Sequence, residues 1–337
     1  MSSSPISSTR RSRPAFWASL AALTLAAAAL SLLAGSVALS PAQVLSALAG
    51  RAEDPTAARI VLYSRLPRTC AAALAGAALA VSGAVIQTVL NNPLASPGII
   101  GVNSSAGLAV ALACAAFPWA QGFTPFIAFA GALTGALLVL ALAQGARAAR
   151  TTVVLAGVAV SNLFSAGIDA VITLVPDALN GVTDFRVGGF SGVTMARLAP
   201  AAGVIAVSLT AALSLSRQMD ILSLGGDTAR SLGLSVRPVR LALLALAAAL
   251  AGAAVSFAGL LGFVGLIIPH AMRRLAGGDS FALLLSSALG GAFFVMVCDL
   301  FSRVLFAPFE LPVGIVLAFT GAPFFLWLLL RQRGGRR

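Results

Sequence analysis

The stretch Asp220–Val236, DILSLGGDTARSLGLSV, interrupts a chain that is otherwise almost continuously apolar. Acid, base, hydroxyl and paired glycines fall within a few turns, so this stretch meets something other than lipid. Asp220 is placed to cap a short helix through Leu224, Gly225 and Gly226 to break it, and Asp227 to cap a second helix that Gly233 closes. Two short amphipathic helices between long apolar runs read as a docking site at a membrane surface.

Outward from this stretch, composition leaves one class. Hydrophobic residues make up 59% of the 337 and charged ones 9%, which excludes a soluble domain. A span needs about 20 residues, so the length accommodates roughly ten crossings. Continuous apolar runs exclude a β-barrel, whose strands alternate. A net charge of +12 would suggest nucleic acid in a soluble protein. Here all 22 basic residues are arginines set mainly between apolar runs, so the charge reads as topology and contact with membrane lipid, with no nucleic-acid partner.

Residues 1–14 read as a disordered cytoplasmic tail. Phe16–Leu39 is the first apolar run. Its basic start and Ser36-Val37-Ala38 imitate a signal peptide, and Arg10-Arg11 imitate a twin-arginine signal, but the run exceeds an h-region of roughly 7–15 residues and favours an uncleaved helix. After a polar connection over Ser40–Arg68, spans are expected at Thr69–Leu90, Ile99–Phe117, Pro125–Ala143, Thr152–Val175 and Ala196–Leu215, with a short surface helix inside Pro176–Met195. Pro238–Met272 would rise about 52 Å as one helix, too long for a single crossing. Arginines flank both of its ends, so it makes two passes with a break near Gly259 and Gly262. Ala282–Val304 and Leu311–Leu330 complete an all-α membrane domain of about ten helices over residues 15–331, with a basic tail at 332–337. Placing both termini in the cytoplasm puts 15 of the 22 arginines inside, Arg147, Arg150 and Arg230 among them. An outer set that includes Arg65, Arg68 and Arg303 remains to be explained.

Several motifs in matching order resemble one family. Arg65-Leu66-Pro67-Arg68, Asn92-Pro93-Leu94-Ala95, Pro97-Gly98-Ile99-Ile100-Gly101, Gly262-Phe263-Val264-Gly265 through Pro269-His270, and Glu310-Leu311-Pro312-Val313-Gly314 look like the FecCD-type permeases. These are the membrane subunits of type II ABC importers for ferric siderophores, haem and cobalamin. The likeness runs from about Arg65 to Leu330. It implies the type II importer permease fold of ten helices in the bacterial inner membrane, a homodimer with a path between the copies, two ATPase subunits, and a periplasmic or lipid-anchored binding protein.

The resemblance also assigns roles. Asp220, Gly225, Asp227, Ala229, Arg230, Leu232 and Gly233 fall in the coupling helices that contact the ATPase, although many relatives carry an acid where this chain has Gly226. Asn92, Pro93 and Leu94 form a cytoplasmic gate, with Thr151 and Thr152 opposite. Arg65, Arg68 and Arg303 meet carboxylates of the binding protein; snorkelling, or an internal pair with Glu310 or Asp299, is the competing explanation. Asp169 and Asp299 are the deepest carboxylates in the expected spans, and Asp299 precedes Arg303 by one helical turn.

No metal or cofactor site is expected. His270 is the single histidine, Cys70, Cys114 and Cys298 lack ligand spacing, and neither a Walker motif nor a lysine is present, so ATP and magnesium belong to a partner chain. Spacings such as Gly131-xxx-Gly135 suit close helix packing. A secondary transporter would want more central carboxylates, and an intramembrane enzyme a paired acid, base or nucleophile.

Overall fold

Prolines and glycines set most helix boundaries, and the exceptions are informative. The computed structural model describes residues 13–334 apart from 36, 53, 146–149, 278 and 308. The tail over residues 1–12, Ser36, Arg147 and residues 335–337 therefore lie outside the described residues.

Helix α1 (Arg13–Leu33) takes in the last two residues of the expected tail, and is followed by α2 (Pro41–Leu48) and α3 (Pro55–Arg59). The polar connection expected over Ser40–Arg68 is largely helical. From Pro55 the chain runs continuously to Leu90, through a widened turn at Ile60–Arg65 into α4 (Leu66–Leu90). In that turn the Leu66 N–H reaches Val61 O, five residues back. Pro67 has no N–H to donate and its ring would crowd the carbonyl of an ordinary preceding turn, so the widening lets the helix pass through it.

A tight turn at Pro97–Ile100 leads to α5 (Val102–Ala116), α6 (Thr124–Gly145) and α7 (Arg150–Leu174). The surface helix expected before the sixth span is α8 (Leu179–Val187), which precedes α9 (Met195–Ser214). The opening stretch of sequence contributes α10 (Ser216–Ser223) and α11 (Gly226–Ser231). The two-pass reading of 238–272 holds, as α12 (Val236–Ala258) and α13 (Val264–Leu275) are separated by a break where Gly259 takes φ +67 and Phe263 φ +65. Helices α14 (Ser280–Val304) and α15 (Val313–Gly334) complete the chain.

Among the described residues, seven stretches are long and apolar enough to cross a membrane: Pro14–Leu33, Pro55–Leu90, Thr124–Leu142, Thr152–Leu174, Met195–Ser214, Val236–Ala258 and Ser280–Val304. The other three expected crossings coincide with α5, α13 and the apolar stretch Val313–Leu326, all shorter.

Helix α4 is the centre of the bundle, packed against α14, α12 and α13. Most of it is buried, whereas α1 and α7 are largely exposed, so it is not a lipid-facing helix. Its small residues let backbones meet: a Cβ on Gly76 would lie 2.1 Å from Gly291 O of α14, and one on Gly83 1.8 Å from Gly265 O of α13. Without a hydrophobic force between helices in lipid, such approach supplies the dispersion contact that holds them. The Gly131-xxx-Gly135 pair does the same on α6, against Ala109 and Ser105 of α5.

Candidate functional site

At one end of the bundle, the start of α4 and the end of α14 bring a buried charge cluster together. Arg68 Nε stands 3.0 Å from Asp299 Oδ1, and its Nη1 2.5 Å from Glu310 Oε2. Arg303 Nε stands 3.1 Å from the other Asp299 oxygen, one helical turn away. Arg303 also donates to Ser31 Oγ at 2.9 Å and to the carbonyls of Ser31 and Ala34. Arg65 donates to the carbonyls of Leu32, Leu33 and Val37. Carbonyls at the end of α1 have no partner within their own helix and carry the negative end of its dipole, so two guanidinium groups satisfy both needs.

This answers why arginines stand at an end where topology has no use for them. Arg65, Arg68 and Arg303 are 4%, 9% and 3% exposed, and Asp299 is fully buried. The free two-pronged groups expected for a docking protein are therefore committed inside the chain in this conformation. For Arg68 and Arg303 the internal pairing weighed against docking is the arrangement found, whereas Arg65 is held by backbone carbonyls alone. Ser31 and the end of α1 were not legible as partners, because nothing in an alanine- and leucine-rich helix marks which carbonyls an arginine much later in the chain will reach.

At the other end of α4, Asn91 takes the left-handed conformation at φ 47 and ψ 43, and Asn92 N–H returns to Gln87 O at 3.0 Å. Asn92 Oδ1 then accepts the Leu94 N–H at 3.0 Å, so this side chain fixes the turn expected of it. Pro93 is exposed and Leu94 half-buried. The following turn lies against α7, where a Cβ on Gly157 would sit 1.7 Å from Ile99 O. Thr152 lies in the first turn of α7, and the Thr151 side chain lies outside the described residues.

The same end carries α10 and α11, with their capping changed from expectation. Asp220 lies within α10 and does not cap it; its Oδ1 accepts the Ser280 N–H at the start of α14, at 2.8 Å. Asp227 is the second residue of α11, whose N-cap position is Gly225 at φ +108. Its carboxylate is exposed and pairs with Arg230 at 2.8 Å, a surface contact worth little to stability. Gly233, at φ +81, does close the helix, with its N–H on Arg230 O and the Leu234 N–H on Ala229 O. Ala229 is fully buried, so it supports α11 from within and is not itself presented, whereas Leu224 and Leu232 are 61% and 59% exposed.

Helix α7 shows a third feature. Asn162, Ser165, Asp169 and Thr173 are exposed along one side of it, and a hollow of about 240 Å³ beside them is lined by polar residues such as Asn103, Ser165 and Asp169 together with the apolar Ile168 and Leu260. Asp169 is 4.0 Å from Arg186, both well exposed. The three cysteines are free, and among the described residues no group of three or more metal-type side chains includes His270.

The family model for the FecCD transport family matches residues 23–331. The chain is 41% identical over 284 residues to the iron(3+)-hydroxamate import system permease FhuB of Bacillus subtilis, covering 83% of this chain and 73% of that one. It is 40% identical over 321 residues to the vitamin B12 import system permease BtuC of Citrobacter koseri, covering 94% of each. A metal-chelate type ABC transporter solved in an inward-facing conformation superposes with a TM-score of 0.83 at 29% identity, covering 94% of this chain and 99% of that one. Apolar helices packed backbone to backbone around α4, and a match over nearly the whole chain, make this multi-pass inner-membrane protein a member of the FecCD transport family, the permease subunits of ABC importers.

Proposed function

We propose that the chain carries a ferric-siderophore-type chelate inward, working as a homodimer with two ATPase subunits and a periplasmic or lipid-anchored binding protein. The chain binds no cofactor of its own in this reading; ATP and magnesium stay with the ATPase. The observation that carries the reading is the exposed polar side of α7. Asn162 and Asp169 cannot stand in hydrocarbon at low cost, so the side they share with Ser165 and Thr173 fits a face turned to an aqueous path or a second copy. Hydroxyl and amide groups beside the hollow suit the polar periphery of a large chelate, and relatives named for iron(3+)-hydroxamate and Fe(3+) dicitrate support iron. Haem or cobalamin is the second reading, favoured by the similarity to permeases named for hemin and vitamin B12.

Helices α10 and α11 meet the ATPase through Leu224, Arg230 and Leu232, three of the exposed residues of the stretch. The turn Asn92-Pro93-Leu94 closes the path toward the ATPase, with Thr151 and Thr152 across from it. In the Leu94→Cys variant, a disulfide joining the introduced thiol to its counterpart in the second copy is expected to stop transport; a bridged dimer that transports normally removes the gate. The binding protein sits on the opposite end, where Arg65, Arg68 and Arg303 support the surface from beneath. Substrate class is tested by uptake into proteoliposomes holding the complete complex. Ferric hydroxamate is expected to be taken up at least about tenfold faster than haem or a corrinoid, a difference of about 1.4 kcal/mol in the barrier; the reverse order overturns the choice of iron chelate.

A further inference from the structure

Asp220 sits inside α10, yet its carboxylate serves another helix sixty positions away in sequence. The Ser280 N–H that it accepts is the first of α14, one of the donors that every helix start leaves without an intrahelical partner. That acceptor comes from Asp220 and not from Asp279, the residue at the N-cap position. A carboxylate there also faces the positive end of the α14 dipole. Beside this bond, α10 rests on α14 and α4 and sinks Met219 and Leu222 fully into the core. Apolar contacts of that kind hold two helices together without fixing their register, whereas a hydrogen bond to one particular N–H does.

Beyond α14, the connection continues. Helices α4 and α14 touch backbone to backbone at Gly76 and Gly291, and Arg68 and Asp299 join their far ends. Helix α11 has a lighter footing: it follows Gly225, touches α10 and α12, and leaves Arg230 and Leu232 in the open. We infer that Asp220 is a positioning residue that fixes α10 to the start of α14, so that a displacement of α10 and α11 is delivered along α14 to the Arg68–Asp299–Arg303 cluster about 28–34 Å away. This rests on the reading that α10 and α11 meet the ATPase. It also separates Asp220 from Leu232: the first transmits and the second makes contact.

Ser280→Pro tests the fastening with little else disturbed. It deletes the donated N–H together with the hydroxyl of the buried Ser280, proline is well tolerated at the first helical position, and Asp279 already has the extended backbone (φ −98, ψ 146) favoured before proline. Ser280→Ala keeps the N–H, and Asp220→Asn keeps an acceptor where Asp220→Ala does not. In proteoliposomes holding the full complex, with a radio-iron-labelled ferric hydroxamate as probe, Ser280→Pro and Asp220→Ala are expected to raise the ATP hydrolysed per chelate imported by about fivefold, the population factor of one lost cap. Ser280→Ala and Asp220→Asn are expected to stay within about twofold of the parent chain. Uncoupling by Asp220→Ala without uncoupling by Ser280→Pro would make Asp220 a direct ATPase contact and overturn the inference.

Amide exchange of the isolated full chain in nanodiscs keeps this distinct from failure of the ATPase reading. Asp220→Ala is expected to speed exchange across Phe281–Leu283 by about fivefold, with Asp220→Asn within about twofold. Unchanged exchange in Asp220→Ala overturns the fastening whatever drives transport.

Discussion

Replacing Asp299 with alanine is expected to lower the stability of the folded chain by about 3–5 kcal/mol, read as an earlier midpoint on titration with denaturing detergent in mixed micelles. The carboxylate is fully buried and stands between two arginines, at 3.0 Å from Arg68 and 3.1 Å from Arg303. Its removal leaves both guanidinium groups in a low-dielectric site with Glu310, itself a third exposed, as the remaining anion. A loss below about 1 kcal/mol would mean that the cluster behaves as a hydrated surface pair. The same geometry makes Arg68→Glu a poor probe of docking, because it sets a third carboxylate beside Asp299 and Glu310. Any loss of binding-protein stimulation in that variant would be mixed with loss of fold.

Leu232→Asp is expected to cut transport at least about tenfold, equivalent to about 1.4 kcal/mol, while the chain remains folded. Leu232 is 59% exposed and follows a six-residue helix that contributes only Ala229 to the core, so a charge there costs the fold little. What it removes is an apolar part of the proposed ATPase contact, in which Leu224 and Arg230 are also exposed. Transport rates per complex, normalised to protein that elutes as a monodisperse peak, separate lost contact from lost protein. Transport at the parental rate would leave α11 as a surface loop.

Much of the fold was legible because each feature leaves a local mark. Apolar length marks the spans, charge at both ends of 238–272 marks the two passes, and Gly233 marks the end of α11. One miss is local, and the others depend on residues distant in sequence. The polar connection is expected to last until Arg68, yet the widened turn at Ile60–Arg65 carries a helix through Pro67. Asp220 has the composition and position of a cap, and it is one, but for a helix that starts sixty residues later. Arg65, Arg68 and Arg303 read as surface groups because topology offers no use for them, and their partners come from α1, α14 and the segment before α15.

The central claim is that this permease moves its cargo on energy released by a separate ATPase. The most direct measurement is uptake of radio-iron-labelled ferric hydroxamate into proteoliposomes holding the chain, its ATPase and its binding protein, driven either by ATP or by an imposed proton gradient without ATP. ATP-dependent uptake that ignores the gradient is the expected result; uptake driven by the gradient with no ATP present would contradict the account and make the chain a secondary transporter.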